Sequence, residues 1–248
     1  MISSIIFQPE AQNSPGTLAV LQANALRDLP YPTKRLNLQK LEKNLSKSGS
    51  ELPVGSVEYM KKAFALCGLI VTPVSSYPKE LEPFLGRQII ESKFFCVPDD
   101  WFVKPKDLKK FTGAIKSEIY DQLCVREPIS PTTPVWASAP VIWVSEWRYY
   151  LIDGELAGFG RYDDGPEDAP TPDLSIVNAA IAAWTTAPKG GSLDFGVLKD
   201  GRTALVEAND GFSLGYYKGT LTPQRYLSLL ISRWTELVQD RTRDDEGD

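Results

Sequence analysis

The stretch LDFGVLKDGRTALVEANDGFSLGYY, residues 193–217, decides how the rest of the chain is read. Phe195, Val197 and Leu198 lie on one predicted strand, and Ala204, Leu205 and Val206 on a second. Between them, Lys199-Asp200-Gly201 carries the Asp-Gly signature of a two-residue hairpin turn. The second strand ends in Glu207, Asn209 and Asp210. Residues two apart on a strand face the same side, so Glu207 and Asn209 share a face. A turn at Asp200-Gly201 brings Asp194 level with Glu207, and two carboxylates and an amide oxygen then converge. Like charges that close repel unless a cation stands between them. An all-oxygen donor set suits a hard ion such as Mg²⁺. Asp194, Glu207 and Asn209 are therefore the candidate metal ligands, set against the plainer reading of a hairpin end with solvated acids. If repulsion dominates, Asp194→Asn and Glu207→Gln are expected to leave the fold intact.

At 248 residues, with 42% hydrophobic and 24% charged residues, the chain is long enough for one large domain or two small ones with a substantial core. The net charge of −5 gives no basic field, so nucleic acid is not an expected partner. No apolar run reaches the roughly 20 residues of a membrane helix. The start, MISSIIFQPE, has no basic region before its apolar run, so no secretory signal is predicted and the chain is read as cytoplasmic. Cys67, Cys96 and Cys124 lack any metal spacing and agree with a reducing compartment. Histidine is absent altogether. That excludes Ser-His-Asp and Cys-His catalysis and histidine-ligated metals. Chemistry here must use carboxylates, lysine, arginine, backbone amides or a bound metal.

From the start of the chain, Ile2 to Phe7 reads as a strand. A helix follows over 17–29, with Leu18, Leu21, Ala25 and Leu26 on its inner face. Residues 31–53 hold one strand and a surface loop around Ser46 to Ser50. Ser56 caps a helix over 57–67 that Gly68 closes, and Leu69 to Pro73 reads as the next strand. This alternation predicts a small α/β domain over 1–95. Tyr77 to Leu85 is a helical turn leading to Arg87, which by itself reads as an exposed surface arginine.

Trp101 to Lys104 reads as a strand that runs into PKDLKKFTG (105–113). Lys104, Lys106, Lys109 and Lys110 there precede Thr112 and Gly113. Such a basic loop can wrap phosphates with backbone N–H groups and ammonium charge, although most lysine-rich loops are only solvated turns. VWASAPVIWVSEWRYYLIDG (135–154) holds two strands, and Asp153-Gly154 turns into a returning strand over 155–162. Arg148 and Arg161 read as cross-strand neighbours in that hairpin. Two adjacent guanidiniums call for phosphate or carboxylate between them, or for pairing with local acids such as Glu146 or Asp163. An acidic loop leads to a helix with Thr171 as cap and Pro172 at its first position, ending near Trp184. A last helix starts at Pro223, and 241–248 is an acidic, frayed tail.

Three stretches, WFVKPKDLKKFTG (101–113), SAPVIWVSEWRYYLIDG (138–154) and residues 193–217, in this order and spacing, resemble the ATP-grasp superfamily. The likeness is greatest to the clade named for two arginines and a lysine. SYPKELEPFLGR (76–87) resembles the segment leading into that clade's nucleotide-binding region. The resemblance implies a mixed α/β (α+β) ATP-grasp fold. A small N-terminal α/β domain over 1–95 would precede antiparallel-sheet ATP-binding subdomains over 96–240, with ATP and Mg²⁺ as cofactors. It places Lys104 along the phosphates and Lys109 to Gly113, with Thr112, in a loop closing over them. Trp136 to Pro140, with Ser138, would form the hinge holding adenine, and Glu146 would approach the ribose or a neighbouring substrate group. Arg148 and Arg161 would hold the γ-phosphate, the acyl-phosphate or the acceptor, making them with Lys104 the catalytic set. Asp194, Glu207 and Asn209 would bind one or two Mg²⁺ ions. Two departures stand out. The loop lacks the several glycines common in such enzymes, and the usual second lysine upstream is not evident, with Arg87 in its place.

The implied activity is that of an ATP-dependent carboxylate–amine ligase, forming an amide bond through an acyl-phosphate and releasing ADP. A non-catalytic ATP-binding sensor or interaction module, and a kinase that stops at phosphoryl transfer, are the alternatives. The carboxylate and amine, whether small molecule, peptide or protein, are not specified. The sequence is compatible with a homodimer through the N-terminal domain or the last helix.

Overall fold

A computed structural model describes residues 1–107, 111–119 and 129–245, with side chains through residue 241. In the N-terminal part, β1 (Ser4–Phe7) lies between β2 (Thr33–Arg35) and β3 (Glu51–Val54), both parallel to it. Buried on both faces, β1 is an almost uninterrupted apolar run, as a central parallel strand must be. Helices α1 (Pro15–Ala25), α2 (Leu38–Asn44) and α3 (Val57–Cys67) accompany the sheet. Helix α3 keeps its expected bounds. The Ser56 hydroxyl accepts from the Tyr59 amide at 3.3 Å, and Gly68 closes the helix at a φ of 68°.

Three local expectations are corrected. Helix α1 buries Thr17, Ala19, Val20, Ala23 and Asn24, while Leu18 and Leu26 stay 52% and 64% exposed. The cause is its neighbour: α1 packs on the C-terminal helix through small side chains, and a Cβ on Gly16 would come 2.8 Å from the Tyr226 hydroxyl. Residues 31–53 contain α2 and β3 in addition to β2. Residues 69–73 form no strand. This segment crosses toward the second half of the molecule, and a carboxylate of Asp210 takes the Val74 amide where a ladder would have done so.

The second half holds two four-stranded antiparallel sheets. One contains β4 (Ile89–Lys93), β5 (Phe102–Pro105), β6 (Ala114–Ile115) and β7 (Pro134–Ser138), in the order β4-β7-β5-β6. The other contains β8 (Trp143–Ile152), β9 (Glu155–Arg161), β10 (Gly190–Leu198) and β11 (Thr203–Asp210), in the order β11-β10-β8-β9. Strand β10 is central and buried along its whole length. Its odd-numbered side chains, Leu193 and Phe195, pack with Tyr149 and Leu205 under α4 (Leu174–Ala183), which contributes Val177 and Ala180. The cap of α4 is Asp173, accepting from the Ser175 amide at 2.8 Å, and not Thr171. On the opposite face lies α5 (Pro223–Asp245), whose Leu230 and Trp234 join Tyr150 and the N-terminal core. Helix α5 continues to Asp245, into residues expected to fray. No helix among the described residues is long and apolar enough to cross a membrane.

Candidate active site

Register on the sheet carrying β10 lays polar side chains out in rows. Arg148 on β8, Asp194 on β10 and Glu207 on β11 are direct cross-strand neighbours. The next row on the same face is Tyr150, Ser192 and Asn209. Glu146 lies opposite Gly196 in the row beyond. The expected pairing of Asp194 with Glu207 is therefore present, but by a different route. The hairpin loop has three residues, closed by Leu198 and Arg202, with Gly201 at a φ of 86°. A bulge at Val206 then restores the register that a two-residue turn would have given.

The acids of this row each have a cation. Arg148 donates Nε and Nη2 to the two Asp194 oxygens at 2.8 and 2.7 Å, and both residues are buried. Burial opposes the charge of Arg148, but the Asp194 carboxylate outweighs it and holds the guanidinium pKa above its usual value. The Arg148 guanidinium also lies 5.6 and 5.2 Å from the rings of Tyr162 and Tyr217, which stack on each other. Glu207 accepts from the ammonium of Lys104, which reaches it from β5 on the facing sheet. Burial likewise pulls the Lys104 pKa down, and the Glu207 carboxylate more than reverses this. The repulsion expected between Asp194 and Glu207 is thus met by the protein's own cations.

Between the two antiparallel sheets is a cleft of ≈ 1100 Å³ whose lining includes Lys104, Lys106, Thr112, Gly113, Trp136, Glu207 and Asn209. Residues from three separate stretches of the sequence meet there, and Lys106 sits 4.9 Å from the Trp136 ring. Lys109 lies outside the described residues. Ser138 is buried beneath the wall and accepts from Arg87 Nε at 2.9 Å. Arg87 is not the exposed arginine expected. Its guanidinium donates to the carbonyls of Leu205 and Val206 at 2.6 and 3.0 Å, bracing the bulge that sets the register of Glu207. Glu146 accepts from the Tyr162 hydroxyl at 2.8 Å. Burial raises its carboxyl pKa above the usual range, and the tyrosine only partly offsets this.

Arg161 is not a cross-strand neighbour of Arg148. Asp153 and Gly154, at φ of 51° and 80°, make the two-residue turn expected, but a bulge at Ala157 then shifts β9 by one residue. Arg161 falls opposite Trp147, on the other face. There it forks onto both oxygens of Asp163 at 2.8 and 2.5 Å. The arginine with a local acid partner, one of the two readings open from sequence, is the arrangement observed.

Sequence reasoning gave no role to Tyr162, Tyr217 or Ser192. The even-numbered parity of Glu146, Arg148 and Tyr150 was a usable signal for the site face of β8, and by extension for Ser192 beside Asp194.

The donor set suits a hard cation. Glu207 and Asn209 open on the cleft, with Asp194 behind them under Arg148. The fully buried Ser192 Oγ opposite Asn209 lacks a hydrogen-bond partner, so this corner holds an oxygen that protein groups do not use. Among the described residues no group of three or more His, Cys, Asp or Glu is placed to hold a metal. A cation here would have few protein ligands and positions left for phosphate oxygens and water, which is the habit of Mg²⁺.

A family model matches residues 84–229, and it describes an ATP-grasp domain, family 2 of the clade named for two arginines and a lysine. No curated protein matches the chain. Among solved structures, the chain is similar to D-alanine–D-alanine ligase from Bacillus anthracis complexed with ATP, at 15% identity and a TM-score of 0.59 over 98% of this chain and 99% of that one. It is similar to the D-cycloserine synthetase DcsG at 14% identity and 0.55, over 94% and 99%. It is also similar to the ATP-grasp ligase PsnB complexed with minimal precursor, at 11% identity and 0.52, over 94% and 100%. At these identities the likeness is one of fold.

Proposed function

The chain belongs to the ATP-grasp superfamily, in family 2 of the two-arginine, one-lysine clade, and from that premise we propose that it is an ATP-dependent carboxylate–amine ligase working through an acyl-phosphate. One observation carries this reading. Lys104 from one sheet and Glu207 from the other meet in a cleft large enough for a nucleotide, and the Asp194–Arg148 pair lies behind Glu207 in the same row.

ATP would lie along this cleft, adenine toward Trp136 and the end of β7 above Ser138, with Lys109, Thr112 and Gly113 over the phosphates. Lys104 would exchange the Glu207 carboxylate for a phosphate oxygen, a move that needs only rotation of a flexible stem. Mg²⁺ held by Glu207 and Asn209, with Asp194 behind, would supply neutralising charge at the phosphate oxygens. An oxygen of the acceptor carboxylate attacks the γ-phosphorus, the bond to the β-phosphate oxygen breaks, and ADP leaves. The amine then attacks the acyl carbon, inorganic phosphate leaves, and the nitrogen gives up a proton. Neither step needs a protein nucleophile. Both need positioning and charge stabilisation, which Lys104 and Arg148 would give. Glu146 would face the ribose or the acceptor. Arg87 would act by bracing the bulge, and Arg161 by ordering the loop from Asp163.

The test is ADP release from ATP and Mg²⁺ with pooled carboxylates, using hydroxylamine as the trapping amine. The ligase gives ADP and hydroxamate together, and Lys104→Ala loses both. Nucleotide binding without ADP release points to the non-catalytic sensor. A stable phospho-product without an amine requirement points to the kinase.

A further inference from the structure

A second cavity, ≈ 420 Å³, lies between the end of β3, the starts of α1 and α3, and the loop 211–217 that follows β11. Met60, Phe212, Leu214, Tyr226, Leu230 and Trp234 form its body. Several side-chain polar groups on this wall are spent inside the protein. Tyr226 Oη donates to the Leu214 carbonyl at 2.7 Å and Trp234 Nε1 to the Gly49 carbonyl at 2.8 Å. Ser14 and Ser56 cap α1 and α3. The one charged lining residue, Arg233, gives Nε and Nη2 to Asp210 and Nη1 to Glu236.

One end of the cavity is closed by Gly215 and Tyr217, with Arg148 directly behind them, its Nη1 donating to the Gly215 carbonyl at 3.4 Å. Ser213 holds a φ of 57°, uncommon for a residue with a side chain, and its hydroxyl donates to the Gly55 carbonyl at 2.6 Å. That bond ties the two halves of the wall together. Gly215 and Tyr217 line the cavity, and both touch the arginine. A Cβ on Gly215 would stand 3.2 Å from Arg148 Nη1, and the Tyr217 ring is 5.2 Å from the guanidinium.

We propose that this cavity takes the body of the acceptor, and that the acceptor is a monocarboxylic acid whose remainder is uncharged and rich in hydrocarbon. This rests on the reading above, which places the acceptor's reacting end at Arg148. A second charge buried in the cavity would find no free counter-charge on its wall, since Arg233 is already engaged by Asp210 and Glu236. Hydrocarbon inserted there leaves water and meets Phe212, Leu214 and Trp234. The carboxylate end stays at the Arg148 edge, toward the phosphates.

The test is calorimetric titration of the whole protein, saturated with ADP and Mg²⁺, with straight-chain monocarboxylates from acetate to decanoate and with dicarboxylates of matching length. Affinity is expected to rise about fourfold per methylene until the cavity is filled, and then to flatten. Each dicarboxylate is expected to bind at least tenfold more weakly than its monocarboxylate. Leu214→Trp, which fills the cavity, is expected to weaken octanoate at least tenfold while changing ADP affinity less than twofold. Affinity independent of chain length in the wild-type protein, or dicarboxylates binding as well as monocarboxylates, overturns the proposal even if the variant fails to fold. ADP binding and its loss in Lys104→Ala test the underlying reading separately.

Discussion

Arg148 covers both oxygens of Asp194 from the neighbouring strand, at 2.8 and 2.7 Å, with only 7% and 1% of the two residues exposed. A buried pair in this geometry is much worse broken than replaced, because the surviving partner keeps its charge without water or a counter-charge. Relief of repulsion made Asp194→Asn look harmless from the sequence, and the structure reverses that expectation. Asp194→Asn should cost about 3–5 kcal/mol of stability. Urea unfolding measures it, and Arg148→Met added to Asp194→Asn should cost much less than the two single losses summed. Additive losses would mean that the pair is not a unit.

Glu207 behaves differently because its pair with Lys104 opens on the cleft. Glu207→Gln should cost about 1 kcal/mol or less, while ATP turnover falls on the order of 10²-fold. Unfolding curves and ADP release on the same preparation separate the two effects. A large stability loss with turnover intact would make the residue structural.

Glu146 predicts the sign of a pH effect. Burial raises its carboxyl pKa in the folded protein, so the folded state binds the proton more tightly than the unfolded one. Its contribution favours folding at low pH and is lost as pH rises from 4.5 through the folded value. Glu146→Gln should therefore raise Tm at pH 7 and flatten the dependence of Tm on pH across that window. An unchanged slope, measured by calorimetry at several pH values, would count against it.

Gly201 provides a control remote from the site. Its φ is 86°, and a Cβ added there would meet no atom within 4 Å, so the only cost of Gly201→Ala is backbone strain. That should be about 1–2 kcal/mol, with ADP affinity unchanged. Gly113→Ala differs: Gly113 lines the cleft and its Cβ would come 2.5 Å from the Phe102 ring, so ADP affinity should fall severalfold.

Much of this was legible in the sequence, and the misreadings have a common cause. The limits of α3 and the two-residue turn at Asp153-Gly154 follow from local chemistry. Ser56 and Gly68 bound α3 as expected. Bulges do not show in hydrophobic alternation, yet each moves every later residue to the other face. In the hairpin of β10 and β11 the extra loop residue and the bulge at Val206 cancel, so the expected register survived two offsetting errors. In the hairpin of β8 and β9 nothing cancels the bulge at Ala157, and Arg161 went to the wrong face. Arg87 and the inner face of α1 were hidden for another reason. Their partners, the Leu205 and Val206 carbonyls and Tyr226, are more than a hundred residues away.

The most direct test is a crystal structure of the protein with Mg²⁺ and a non-hydrolysable ATP analogue. The account predicts the triphosphate on the floor of the cleft, Lys104 moved from Glu207 to a phosphate oxygen, a cation on Glu207 and Asn209, and Arg148 still on Asp194. A nucleotide bound elsewhere, or the Lys104–Glu207 pair intact beneath a bound triphosphate, would contradict it.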